Sequence, residues 1–452
     1  MDLRTYYTRF MPIKEVAHML SIAMPGRFAF REFSFGFQKE GAEVYVRWQS
    51  FADVHKFEEE VRRRGPSRID VGPYYGAEPR LRYTEAEMLP LRREFVIDID
   101  VDDYGVLRSC NCAAICTHCW PLVAVAAQTV DFLLRRKFGL TDLQWFFSGR
   151  RGVHCWCLDT EAAVFTDTFR QAICDYFNVW SARSAWSSAA EMLAIKPEAL
   201  QEFRPLVERI LRPRFERLVA KGVIDLGEPS LRSALLTLCK PRENATLARA
   251  ALSALTLPDN AHRWAGLKSA LVTHHLSGSA LLQTIVMGLA FPRLDYNVSR
   301  RRQHLLRCPF SVHSSTGNVC VPLAVRTMAA FDPGRAPNVF SGANFDSMPA
   351  YVQMLQTFLL RDAEVSKRLV CMHCVNRQVS LEHLPNAILF VSDADWQLHM
   401  RAQHPLSEYS LANSRLVDLV EELATDTETQ EVDATQVQAF YWQLERKFGM
   451  LV

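Results

Sequence analysis

Three kinds of reactive residue crowd the stretch between Glu94 and Trp156. In Phe95-Val-Ile-Asp98-Ile-Asp100-Val-Asp102, Ile97, Ile99 and Val101 alternate with Asp98, Asp100 and Asp102. This is the period-two pattern of a half-buried strand, not the 3.6-residue period of a helix. All three carboxylates are expected on one face, where residues two apart stand ~6.5 Å from each other along the chain. Asp98 and Asp100 can then converge on one divalent cation or on a close pair of them. Taken alone, an Asp-x-Asp is also the pattern of a solvated acidic edge strand.

The next segment alters that balance. Cys110-Asn-Cys112-x3-Cys116-x2-Cys119 sets four thiols within ten residues, a spacing that suits a closed tetrahedral zinc site of the structural kind. The bland reading is a set of small buried hydrophobes. Further on, Trp145-Phe-Phe-Ser148-Gly149-Arg150-Arg151-Gly152-Val-His154-Cys-Trp156 has two aromatic-rich, strand-like runs around a Gly-Arg-Arg-Gly turn, a hairpin signal. Two guanidiniums at such a tip offer planar forks to phosphate oxygens. They would be simple solvated charges if nothing faced them. His154, just inside the second run, can donate to the same phosphates.

These groups need a scaffold, and the flanking sequence predicts one. Tyr6, Phe10, Val16, Met19 and Leu20 fit a pair of short helices around Pro12. Phe33, Phe35 and Phe37 alternate, as do Val44, Val46 and Trp48, giving two strands joined across residues 38–42. A charged helix is expected between Asp53 and Arg64, stopped by Gly65-Pro66, and a longer one from Pro121 to Phe138, stopped by Gly139. Between residues 161 and 289 helical segments such as 165–177, 198–211 and 261–273 are separated by Pro, Gly and Asn signals, with few strand-like runs. The adjacent His274 and His275 point in different directions on a helix and read as structural.

Composition bounds the class. A chain of 452 residues exceeds the ~250–300 at which single cores stop growing, so two or three lobes are expected. Hydrophobic content of 49% with 23% charged residues is that of a globular protein. A net charge of +2 argues against a wholly basic coat for nucleic acid. Any electrostatic footprint must be local, as at Arg62-Arg-Arg64, Arg150-Arg151 and Arg300-Arg-Arg302. The first residues lack a signal-peptide core, and no apolar run approaches the ~18–20 residues of a membrane span. An intracellular, non-secreted protein is expected, whose twelve cysteines are metal ligands and buried thiols more naturally than disulfides. In the tail, Cys371-Met-His-Cys374 and His399-x4-His404 have zinc-finger spacing at each end, across an interval about twice the usual finger length. They read as a second zinc site or as two core cysteines and two surface histidines. Residues 421–433 read as an exposed acidic linker, and Val437, Phe440, Tyr441, Leu444 and Phe448 as one face of a terminal helix.

Asp98-Ile-Asp100, the cluster ending Ile115-Cys116-x2-Cys119-Trp120, and Ser148-Gly-Arg-Arg-Gly-Val-His154-Cys-Trp156 together resemble the catalytic small subunit of the eukaryotic and archaeal DNA primase. Arg31-Glu-Phe-Ser-Phe35 with Tyr45-Val-Arg47-Trp-Gln-Ser-Phe51, Ile69-Asp-Val-Gly72, Pro292-Arg-Leu-Asp295 and Pro309-Phe-Ser-Val-His313-x3-Gly317 extend the likeness over most of residues 1–340. The eukaryotic form is the closer one. The resemblance implies an α/β fold: a mixed-sheet archaeo-eukaryotic primase catalytic core with an inserted helical subdomain and a structural zinc motif. It divides the chain into a first part of the core at 1–160 with the zinc motif at 110–119, a helical insertion at 161–289, a second part of the core at 290–360, a second zinc module at 361–410, and an acidic linker with a C-terminal helix at 411–452.

The activity implied is that of a nucleotidyltransferase, a DNA-dependent RNA polymerase that makes short RNA primers de novo on single-stranded DNA from ribonucleoside triphosphates. Asp98, Asp100 and Asp295 would hold two Mg2+ or Mn2+ ions. Glu32, Arg47, Arg68, Ser148, Arg150, Arg151, His154, Arg307 and His313 would surround the nucleotide. Arg68 and Arg307 stand where the family usually has lysine, which keeps the charge and changes its reach. Ser109 stands in place of the first of two adjacent cysteines, and Cys112 can supply the missing thiolate. Three thiolates with an outside ligand is the alternative. Implied partners are a large primase subunit carrying an iron-sulfur cluster and the DNA polymerase alpha complex, in the nucleus, with no membrane. Two other readings are a repair-type primase-polymerase of the same superfamily and a non-catalytic zinc-bearing scaffold that binds nucleic acid.

Overall fold

Asp2 accepts the amide of Thr5 at 2.9 Å and starts helix α1 (Leu3–Arg9), and α2 (Ile13–Ser21) restarts immediately after Pro12, as expected for residues that cap or break a helix. The computed structural model describes residues 1–81, 88–110, 112–113, 115–181, 188–239, 245–274 and 280–360, with a further strand pair at Leu369–Val370 and Leu389–Phe390. Cys371, Cys374, His399, His404, His275, the acidic stretch and the expected terminal helix lie outside the described residues.

Strands β1 (Arg31–Lys39) and β2 (Ala42–Gln49) form the expected antiparallel hairpin, yet they divide the burial unequally. Phe33 and Phe35 pack below the sheet, where Phe33 stacks on Phe57 of α3 (Val54–Arg64) at 4.5 Å. Burying each such ring contributes about 1.5–3 kcal/mol. Glu32 and Ser34 are buried on the opposite face. β2 is the sheet edge, and Val44 is exposed there against the half-buried pattern expected of it. β3 (Arg68–Tyr75) pairs with β1, β4 (Pro90–Arg92) follows it, and the short β8 (Leu306–Arg307) also joins β3, with Arg307 opposite Asp70.

The second sheet runs β5 (Phe95–Asp100), β7 (Gly152–Cys157), β6 (Leu143–Phe147), β9 (Pro322–Leu323). All ladders among the described residues are antiparallel. α4 (Trp120–Phe138), which ends at Gly139 as expected, is held to this sheet by the Trp145 indole donating to Asp131 at 3.0 Å. β5 is shorter than the alternation predicts. The Asp100 carboxylate accepts the amide of Asp102 at 2.9 Å and caps a 3-10 turn over Val101–Leu107, so Asp102 leaves the strand face. An aspartate that bonds a backbone amide two residues on competes with strand extension.

The head of β5 rests on a buried ion group. Arg31 makes a bidentate pair with Glu94 at 2.7 and 2.9 Å, while Arg170 of α5 (Asp167–Phe177) donates to the carbonyls of Arg93 and Glu94. Removing one partner of such a pair costs about 3–5 kcal/mol, because the other charge is stranded. From α5 the chain is helical: α6 (Ala189–Met192), α7 (Pro197–Glu202), α8 (Arg204–Leu206), α9 (Arg212–Ala220), α10 (Pro229–Leu238), α11 (Ala245–Leu255), α12 (Asn260–Thr273) and α13 (Ala280–Ala290). A π turn at Val207–Leu211 precedes Pro213, whose missing N–H disturbs the ladder at that point. His274 sits at the C-cap of α12. α14 (Tyr296–Arg300) then packs against β5 and α5, and α15 (Met348–Leu360) closes the described core.

Candidate functional site

The hairpin β6–β7 and the strand β5 set the first reactive groups side by side. In the ladder Asp98 lies opposite His154 and Asp100 opposite Gly152. Only glycine fits at 152, since a Cβ there would lie 1.9 Å from the Ile99 carbonyl oxygen. The third carboxylate arrives from far along the chain. The Asp295 amide donates to the Asp98 carbonyl at 3.0 Å, and its side chain caps α14 through the Asn297 amide at 2.9 Å. Asp98, Asp100 and Asp295 therefore line one cavity of about 550 Å3, together with Asp103, Arg151 and Arg300.

That cavity carries uncancelled negative charge. Burial, then Asp295, Asp100 and Asp103, hold the Asp98 carboxyl well above the ordinary carboxylate range. Burial with Asp100 and Asp295 pushes Asp103 up to about 7. Carboxylates crowded in this way resist joint ionisation until a cation cancels the charge. The hard oxygen donors and their unbalanced field fit Mg2+ or Mn2+. Among the described residues only the four cysteines bring their ligand atoms within 4.8 Å of one another.

Cys110, Cys112, Cys116 and Cys119 form that group. The Sγ separations are 2.9 Å for Cys110–Cys119, 3.6 Å for Cys110–Cys116 and 4.0 Å for Cys112–Cys119. Tetrahedral zinc with bonds of ~2.3 Å would set them at ~3.8 Å. Four thiols this close can hold a metal such as zinc. Cys112 supplies the fourth sulfur of the group, while Ser109 Oγ lies 2.6 Å from the His118 ring. The loop also supports the Arg-Arg turn, because the Ile115 amide donates to the Arg150 carbonyl at 3.1 Å.

The two arginines of the turn part company. Arg151 faces Asp100 at 3.4 Å and is also paired with Asp102. Arg150 has no ion pair among the described residues and shares its surroundings with His313, Arg307, Arg68 and His154. Burial first, then Arg307, Arg150, Arg68 and His154, hold the His313 imidazole down at about 3. His154, 3.7 Å from Asp98, is likewise held at about 3 by burial and Arg307. The Ser315 amide donates to His313 Nδ1 at 3.3 Å, so Nε2 of the neutral ring carries the hydrogen and can donate. Ser148 Oγ accepts from the Gly152 amide at 3.0 Å, which leaves its own hydrogen to give. The result is a basic cluster around His313 beside an acidic cavity.

Glu32 and Arg47 pair with each other at 3.0 Å at the margin of the first sheet, and Tyr75 OH adds a 3.0 Å bond to the buried carboxylate. Trp48, which follows Arg47, has a φ of 62°, a left-handed conformation uncommon for a bulky residue and found at functional positions. Arg68 bonds Asp70 at 2.6 Å, and Tyr45 OH donates to the same oxygen at 2.6 Å. Sequence reasoning assigned nothing to Tyr45, Asp70, Asp103 or Arg108. For Asp70 the available signal is its alternation with Arg68 and Gly72 along the strand.

The chain is similar to known proteins over the part that holds these groups. The family model of the DNA primase small subunit covers residues 97–325, the span that supplies all three carboxylates, the four thiols, the Arg-Arg turn and His313. DNA primase small subunits of Drosophila melanogaster, Schizosaccharomyces pombe and Saccharomyces cerevisiae are 32%, 30% and 30% identical to the chain over 75%, 74% and 75% of its length. These alignments span 79%, 75% and 83% of the relatives. The archaeal relative from Methanothermobacter thermautotrophicus is 25% identical over 66% of the chain. With a family match across more than half the chain and identities of this size over three quarters of it, the chain belongs to the DNA primase small subunit family.

Proposed function

We propose that this chain catalyses template-directed synthesis of short RNA primers on single-stranded DNA, starting from two ribonucleoside triphosphates. One observation carries the reading: a cavity lined by three carboxylates, Asp98, Asp100 and Asp295, lies beside a basic cluster in which Arg68, Arg150 and Arg307 surround His313. Nucleotidyl transfer needs that pairing of an acidic and a basic subsite, because a polyphosphate must meet cations on both sides. Asp98, Asp100 and Asp295 would hold Mg2+ or Mn2+, which when bound makes a 3′-hydroxyl more acidic and neutralises charge on the departing pyrophosphate.

The chain's own residues do the rest. Arg150, Arg307 and Arg68 bind phosphate oxygens, with Ser148 Oγ and His313 Nε2 donating as neutral groups, which fixes the triphosphate without adding charge. Arg151 stays on Asp100 and Asp102 and keeps the acidic wall in place. Glu32 and Arg47 bound the basic cluster on the side of the first sheet. No side chain is required as general base. The thiol group, closed by zinc, would brace the loop that holds Arg150 through Ile115. The chain would act in the nucleus with a large primase subunit bearing an iron-sulfur cluster and with DNA polymerase alpha.

The test is primer synthesis on a single-stranded template by the purified chain, alone and with its large subunit, with ribonucleotides compared against deoxyribonucleotides. RNA products that begin without a primer support the proposal. Products begun only from deoxyribonucleotides would assign the chain to repair-type priming, and none under any condition would leave it a scaffold.

A further inference from the structure

Gly149 sits at the tip of the Arg-Arg turn with a φ of +90°, and its carbonyl belongs to the peptide that leads into Arg150. That oxygen accepts two side-chain hydrogen bonds, from Thr316 Oγ1 at 2.7 Å and from Asn318 Nδ2 at 3.1 Å. Both donors come from a loop more than 160 residues away. The preceding carbonyl, of Ser148, takes the Cys320 thiol at 3.2 Å.

The loop is itself pinned. Asn338 Nδ2 donates to Asn318 Oδ1 at 2.7 Å and to the Thr316 carbonyl at 2.8 Å. Asn338 Oδ1 accepts from the Ser341 amide at 2.9 Å, so the direction of donation is set along the row Ser341, Asn338, Asn318, Gly149. The same loop presents His313, whose amide donates to the Asn318 carbonyl at 2.8 Å and whose Cβ abuts the Gly149 backbone.

We infer that Thr316, Asn318 and Asn338 are positioning residues that lock the Gly149–Arg150 peptide against the His313 loop, so that the Arg150 guanidinium and the His313 imidazole present one preset site to a nucleoside triphosphate. This rests on the functional reading above. The physical reason is that Arg150 has no ion pair of its own to hold it among the described residues, so the aim of its side chain depends on the peptide plane from which it springs. A carbonyl that fills both acceptor directions is held far more firmly than one with a single bond. A peptide free to turn would leave the guanidinium to be ordered at the moment of binding, at a cost in affinity.

The experiment is calorimetric titration of the full-length chain with ATP in the presence of Mg2+, with thermal unfolding alongside. Thr316→Val removes the hydroxyl at nearly constant shape, and Thr316→Ser restores it. Asn318→Ala makes the same comparison should Thr316→Val fold poorly. Thr316→Val and Asn318→Ala are each expected to weaken ATP binding by about tenfold, while Thr316→Ser stays within about threefold of the parent. The deciding measurement is the double-mutant cycle. In an Arg150→Ala background Thr316→Val should add less than about a further twofold, because the residue it positions is gone. A full tenfold loss repeated in that background would overturn the inference, as would an unchanged ATP affinity in both Thr316→Val and Asn318→Ala when Arg150→Ala is impaired. Arg150→Ala with undiminished ATP affinity would instead sink the functional reading, and this inference with it.

Discussion

Arg108 donates to the Asp102 carboxylate at 2.7 Å while the other end of its guanidinium meets the Cys112 sulfur at 3.1 Å. Asp102 in turn pairs with Arg151, which reaches Asp100. A row of alternating charges therefore runs from the thiol group to the acidic cavity. Four thiolates around one dication leave a net charge of about −2, and Arg108, with its side chain only 9% exposed, is the cation placed to offset it. Arg108→Ala is expected to lower metal affinity by about 10–100-fold, the usual cost of losing an outer-sphere partner. Zinc release to a chromogenic chelator measures this directly, and an unchanged rate would reduce Arg108 to a support for Asp102.

Asp98→Ala and Asp100→Ala should each abolish primer synthesis; Asp98→Ala should leave the melting temperature unchanged or raised, whereas Asp100→Ala also gives up its cap on the Asp102 amide and should lower it by a few degrees at most. Each substitution relieves repulsion within a carboxylate cluster that already forces Asp98 and Asp103 upward. Neither removes core packing, since the strand's opposite, apolar face is built from Phe95, Ile97 and Ile99. Activity and melting measured on the same preparations decide the matter. Near-normal synthesis by either variant would end the assignment of these residues to the catalytic cations.

Local chemistry was legible in the sequence, and long-range pairing was not. The Gly-Arg-Arg-Gly turn, the Asp53-to-Gly65 helix and the thiol spacing follow from residues within about a dozen positions of each other. Asp102 was misplaced because period-two alternation said nothing of the Asp100 side chain, which turns back on the Asp102 amide and ends the strand. The divergence of Arg150 and Arg151 depends on what lies on either side of the hairpin tip, a loop at 313–320 and a turn at 101–107. Nothing in the local pattern of Thr316, Asn318 or Asn338 announces a bond to Gly149. Tyr45 and Asp70 are similar: each is an ordinary strand residue until the ladder sets them together.

The neutral state of His313 sets a pH dependence with a definite sign. Burial and the surrounding Arg307, Arg150, Arg68 and His154 hold it at about 3 in the fold, against ~6.5 in the unfolded chain. As pH falls from about 6.5 toward 3, the unfolded state takes up a proton that the folded ring refuses, so stability is lost on acidification and regained as pH rises. His154 acts in the same direction, and Asp98, shifted upward, acts against both. A difference measurement isolates the one ring. His313→Gln keeps a donor and cannot titrate, so its melting temperature should fall less between pH 7 and pH 5 than that of the parent, by about 2 °C or more. Superimposable pH profiles would show that the ring titrates normally in the fold.

Arg150 and Arg151 are neighbours in sequence and should behave as residues of two different sites. Arg150 lies among the cations that depress His313, with no carboxylate partner among the described residues, so Arg150→Ala removes a charge-assisted bond to phosphate. The expected effect is a rise in nucleotide KM of roughly tenfold to a hundredfold, with a smaller change in kcat. Arg151 is engaged with Asp100 and Asp102 on the acidic side. Arg151→Ala leaves Asp100 without its resident cation and Asp102 with Arg108 alone, so divalent ions should bind more tightly. Half-maximal activity is then expected at a lower Mg2+ concentration, with nucleotide KM within about threefold of the parent and kcat reduced, because a wall that Arg151 no longer ties to the turn holds its ligands less rigidly. Mg2+ and nucleotide titrations of the two variants separate these outcomes. Equal losses of nucleotide affinity, with no shift in the Mg2+ requirement of Arg151→Ala, would mean that both guanidiniums turn to the triphosphate when it binds, and that the ion pairs of Arg151 belong to the ligand-free state alone.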